Sequence, residues 1–90
     1  MGKPSKTQLE VLREMSREHA SGRIHREKGG FWTIDGMTRN GRGNPDWYVT
    51  IQTIRAMEER GWLRRRNVLP EEWQDDRELT DEGRKLAPAP

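Results

Sequence analysis

The sequence predicts a single small α+β domain, and three observations predict it. Apolar residues recur twice at helical spacing, ahead of Gly22 and ahead of Gly61. An aromatic and β-branched run, Phe31-Trp32-Thr33-Ile34, follows a Lys-Gly-Gly turn signal. The chain has 90 residues and no second apolar block beyond a linker, so residues 1–90 are expected to build one core.

That core has to be thin. Only 30% of the residues are apolar against 36% charged, so a few large side chains, including all four tryptophans, must supply it. The chain contains no cysteine, which excludes disulfides and thiolate metal sites as compensation. No apolar run approaches the roughly 18 residues of a membrane span, and MGKPSKTQLEV lacks the apolar stretch of a signal peptide. A cytoplasmic location and no membrane association are the resulting expectations.

The elements follow in order. Ser5 with Gln8 three residues on forms a capping box for a first helix, and Thr7 with Glu10 is an equally legal start. Leu9, Leu12, Met15 and His19 form its apolar stripe, which puts His19 as a partly buried helix residue, and Gly22 offers its stop. Residues 23–27 and 30–34 flank Lys28-Gly29-Gly30 and read as a β-hairpin. From Asp35 to Asp46 the composition is that of a mobile loop, with Met37 its one large apolar residue. Trp47, Ile51, Ile54, Met57 and Gly61 mark a second helix with a left-handed end. Trp62, Leu63 and the arginines lead through Val68 as a strand, with residues 77–79 returning and residues 70–76 as the tip. Thr80 caps a short last helix whose first turn carries Asp81 and Glu82, and residues 87–90 form a frayed tail.

The stretch TIRAMEERGWLRRR, followed after a gap by RELTDEGRKLA, resembles the C-terminal half of bacterial winged-helix transcription regulators of the MarR and PadR kind. There a recognition helix enters a β-wing that returns to a Leu-Thr-x-x-Gly motif, matched here by Leu79, Thr80 and Gly83. The resemblance covers about half the chain and implies a winged-helix-like fold with duplex DNA as partner, in a transcription regulator of a bacterial or phage system. The first half departs from it, with a hairpin and a Gly/Arg-rich loop where those families place a helix before the recognition helix. The run Gly29-Gly30-Phe31-Trp32-Thr33 is also similar to small proteins of phage and mobile elements.

A DNA-reading surface is expected on the second helix. The face opposite Ile51 and Ile54 presents Val49, Gln52, Ala56 and Glu59, flanked by Tyr48, Thr50, Thr53, Arg55 and Arg60. Gln and Arg pair bidentately with adenine and guanine edges, and a small residue permits close approach. Arg64, Arg65 and Arg66 lie beyond this helix, where phosphates are contacted; strand alternation points Arg64 and Arg66 one way and Arg65 the other, and favours Arg64 with Arg66. Arg39 and Arg42 in the loop are further phosphate candidates. A net charge of +2 does not itself identify a nucleic-acid binder.

The alternative is a protein-interaction module that docks on a basic partner or mimics DNA through the acidic tip Glu71, Glu72, Trp73, Asp75 and Asp76, since carboxylates there oppose a polyanion. A homodimer through the first helix is compatible with either reading. His19 and His25 lie on different elements without a third ligand, so no metal site is expected, and no Gly-rich segment has the P-loop lysine. No nucleophile is paired with a base, so neither catalysis nor a cofactor is expected.

Overall fold

A computed structural model describes residues 3–65 and 76–89. Helix α1 spans Lys6–Met15, a 3₁₀ turn Glu18–Ala20, strands β1 Arg23–Glu27 and β2 Phe31–Thr33, helix α2 Ile51–Glu59, strands β3 Leu63–Arg65 and β4 Asp76–Leu79, and helix α3 Asp81–Leu86.

Of the two legal starts for α1, the Ser5 box is the one formed. The Gln8 amide donates to Ser5 Oγ at 3.1 Å, and the Ser5 amide donates to Gln8 Oε1 at 2.9 Å. The buried stripe is Val11, Leu12 and Met15; Leu9, expected on it, is 38% exposed. His19 also leaves the expected stripe, because α1 stops at Met15 and the chain enters the 3₁₀ turn before reaching it. It is exposed there, with its ring packed so near Gly36 that a Cβ at that glycine would stand 2.6 Å from His19 Cδ2. Glu14 is buried instead, and tolerates it because Arg17 donates to both of its carboxylate oxygens at 2.9 and 3.1 Å. Gly22 lies beyond the helix, but its amide reaches back to the Met15 carbonyl at 2.9 Å.

The β1–β2 hairpin turns through Lys28, Gly29 and Gly30, the two glycines at φ of +94° and +86°, where side-chain-bearing residues are strained. β4 pairs with both β1 and β3, so the antiparallel sheet runs β2-β1-β4-β3. Its register sorts side chains by face. Ile24 opposite Arg77, Arg26 opposite Trp32, Leu63 opposite Leu79 and Arg65 opposite Arg77 share the side that holds the core. Arg23 and Arg64 flank Glu78 on the other side, beside His25 and Asp76. Helices α1 and α2 close the core with Leu12, Met15, Ile54 and Met57, all fully buried. Trp32 and Trp62 are in that core and Trp47 packs partly against it. Trp73, Val68 and the rest of residues 66–75 lie outside the described residues.

The stretch 35–46, expected to be a mobile loop, is internally hydrogen-bonded. Asn40 Oδ1 accepts the amides of Arg42 and Asn44 at 2.8 and 3.2 Å, an Asx turn that exploits the same residue types that signal a loop. Thr38 Oγ1 donates to Asp46 at 2.6 Å, and Arg39 forms an isolated bridge with Pro45. Trp47 and Val49, expected on the second helix, precede it. Val49 exchanges two 2.9 Å backbone bonds with Trp32, adding a bridge along the outer edge of β2 and burying its side chain. The second helix therefore starts at Ile51, and it ends with Gly61 at φ +79°, the left-handed stop its position predicts. The Thr80 cap of α3 is formed, with Gly83 N–H donating to Thr80 Oγ1 at 3.1 Å. Beyond α3, Ala87 packs against the core.

Candidate functional site

Helix α2 turns Ile54 and Met57 inward against α1 and β3, which leaves Gln52, Arg55 and Glu59 on an exposed stripe. Thr50 is exposed at the N-cap; Thr53 and Ala56 are half-buried on the flanks. Val49 drops out of the expected reading face because its backbone is tied to Trp32. Tyr48 is 46% exposed, but it sits before the helix with its ring against Phe31, centroids 4.5 Å apart and planes at 63°.

The arginines divide by what they touch. Arg39, expected to hold phosphate, is clamped on Glu27: Nη1 donates to Oε1 at 2.8 Å, Nη2 to Oε2, and Nη1 also to the Gly43 carbonyl. These bonds hold the Glu27 carboxyl at about 2, well below the ordinary value of 4.5, against a smaller upward push from burial and with His25 adding to the lowering. Arg64 is likewise engaged, donating from Nε to Glu78 at 2.7 Å on the sheet face turned away from the helices. Arg65 is the arginine on the helix side, exposed, its register partner Arg77 reaching α2. Among the described residues, the side chains of Arg42, Arg55 and Arg65 have no ion-pair or hydrogen-bond partner. Arg66 lies outside the described residues.

No protein-family model, curated protein or solved structure matches this chain. The site rests on geometry alone.

Two features escaped the sequence reading. Arg77, at 4% exposure, lies over the Trp32 ring at 5.1 Å, with Nε 2.9 Å from Glu58 Oε1. The Nε–H is not aimed at that oxygen, so the contact is electrostatic rather than a hydrogen bond, while Nη1 donates to the Asp76 carbonyl at 2.8 Å. The second is Phe31. Alternation along Phe31-Trp32 allows only one of the two rings into the core, and this was the available signal that the other ring faces outward.

The acidic tip of the alternative reading falls mostly outside the described residues: Glu71, Glu72, Trp73 and Asp75 all lie there. Asp76 is in β4, half-buried opposite His25. His25 Nε2 is 3.1 Å from Glu27 and Nδ1 is 3.6 Å from Asp35. Among the described residues no group of three His, Asp or Glu is placed to hold a metal ion, and no helix is long and apolar enough to cross a membrane.

Proposed function

We propose that this chain is a winged-helix-like module that binds duplex DNA as a transcription regulator, with α2 in the major groove and the β3–β4 hairpin beside it. The observation that carries this reading is the exposed stripe of Gln52 and Arg55 on a helix that packs directly on β3, with Arg65 exposed on the same side of the sheet. Gln52 and Arg55 are the side-chain types that read adenine and guanine edges, and Arg65 supplies a cation for the adjacent phosphates. The second half of the chain order supports it as well: after α1 and the β1–β2 hairpin come α2 and then the antiparallel pair β3 and β4, with β4 inserted beside β1. Where the resembled regulators have a helix ahead of the recognition helix, this chain has β2 and residues 34–50, so α2 enters the groove without that neighbour.

The test is binding of the purified protein to random-sequence duplex DNA over a salt series. Micromolar or tighter binding that falls linearly in log–log form, with a slope of several released counterions, is the expected result. No binding at low salt overturns the reading.

A further inference from the structure

The tip of the β1–β2 hairpin carries an aromatic pair that the core does not use. Trp32 faces inward and supplies the buried ring, so Phe31 stands on the opposite face of β2. The Gly29-Gly30 turn makes room for it; a Cβ at Gly29 would meet the Phe31 ring at 3.1 Å. The Val49–Trp32 bridge brings the segment before α2 alongside β2 and delivers Tyr48 to Phe31. Two ring edges and faces thus meet at 63°, a geometry that does not bury ring face on ring face, and Tyr48 remains 46% exposed.

Cations lie on the segments that flank the pair. Lys28 is exposed in the turn that leads into Phe31. Glu27, the register partner of Phe31, is neutralised by Arg39, and the same arginine's bond to the Gly43 carbonyl anchors the loop whose tip exposes Arg42. Thr50, the N-cap of α2, follows Tyr48 by two residues. An aromatic pair in which Tyr48 is exposed and Phe31 half-buried, with cations on the neighbouring segments, is a composition that stacks an unpaired nucleobase while holding its backbone phosphates.

We propose that the Phe31–Tyr48 pair, on the outer face at the β2 edge of the sheet and just ahead of the N-terminus of α2, is a stacking site for a nucleobase displaced from the duplex and turned around that edge. This rests on the DNA-binding reading above, and it predicts a preference for DNA with an unpaired base. Base–aromatic stacking makes a bulged duplex bind about ten-fold tighter than the same duplex without the bulge.

The experiment compares an intact duplex, the same duplex carrying one unpaired fluorescent purine analogue, and the corresponding single strand, for the wild-type protein, Phe31→Leu and Tyr48→Phe. The expected result is tighter binding of the bulged duplex with quenching of the analogue. Phe31→Leu abolishes preference and quenching while keeping intact-duplex affinity, and Tyr48→Phe retains both. Equal affinity for bulged and intact duplex overturns the stacking site and leaves the duplex reading standing. An equal fall for both probes in Phe31→Leu also overturns it, as a structural loss. Binding of the bulge and single strand without the intact duplex supports the stacking site and overturns the groove reading. Binding to none of the probes overturns both.

Discussion

Gly83 lies against the carbonyl oxygen of Trp62 so closely that a Cβ built on it would stand 2.3 Å from that oxygen. The approach is fixed from both sides. Thr80 N–H donates to the same carbonyl at 3.1 Å, and Thr80 Oγ1 both accepts from Gly83 and donates to the Gly61 carbonyl. The Leu-Thr-x-x-Gly spacing thereby locks the start of α3 to the link between α2 and β3. Gly83→Ala forces backbone apart and costs about 2 kcal/mol or more, a fall in Tm of about 10 °C for a domain of this size. Gly41→Ala is the control, since nothing lies within 4 Å of its Cβ position. Equal melting temperatures for the two variants would sink this account.

The Glu27–Arg39 clamp makes part of the stability depend on acid. The Glu27 carboxyl sits at about 2 when folded against an ordinary 4.5, so its contribution is fully present above about 4.5 and is lost as the pH falls toward about 2. Comparing urea midpoints of the wild type and Glu27→Gln across that window should show a gap at neutral pH that closes on acidification. A gap that does not change with pH would mean the carboxylate's charge is not what Arg39 uses.

These two relationships differ in how far the sequence discloses them. Signals acting within one turn are readable: the Ser5–Gln8 box, the Ile54–Met57 stripe ending at Gly61, and the Thr80 cap all come from residues three or four apart. The Gly83 contact shows only as an unexplained motif, because its partner carbonyl comes from another part of the chain. Residues 35–46 read as a loop for the same reason. Gly, Asn and Arg signal missing regular structure, whereas what organises them is an Asx turn and a bond from Arg39 to a strand residue twelve positions earlier. The choice between Arg64 and Arg65 at the site depends on which side of β3 meets α2, and alternation separates the two without orienting them.

Arg77 and Glu58 join β4 to α2 over the ring of Trp32. Glu58→Ala removes the carboxylate 2.9 Å from the Nε of a guanidinium at 4% exposure. Glu58 itself is a quarter exposed, so the cost should fall somewhat below that of breaking a wholly buried pair, at about 2 kcal/mol. Replacing both, Arg77→Met with Glu58→Leu, removes the buried charge together with Glu58 and should recover most of the loss in urea denaturation. A double variant no more stable than Glu58→Ala would show that Arg77 acts through Trp32 rather than through the pair.

The arginines on the two sides of β3 separate groove contacts from sheet structure. Arg65 and Arg55 are exposed on the α2 side and contact phosphate or base edges in the proposed complex, whereas Arg64 is held by Glu78 on the far side. Arg65→Ala should weaken binding to every duplex alike and lower the slope of log K against log salt by about 1. Gln52→Ala should change which sequences are preferred with little change in that slope, since an uncharged base contact releases no counterion. Arg64→Ala should stay within about two-fold of the wild type in affinity, because an exposed ion pair contributes little to the fold and its arginine faces away from the duplex. Salt titrations of the three variants on a selected sequence and on a scrambled one separate these effects. If Arg64→Ala lowers the slope and Arg65→Ala does not, the duplex lies on the outer face of the sheet, and α2 is not the reading helix.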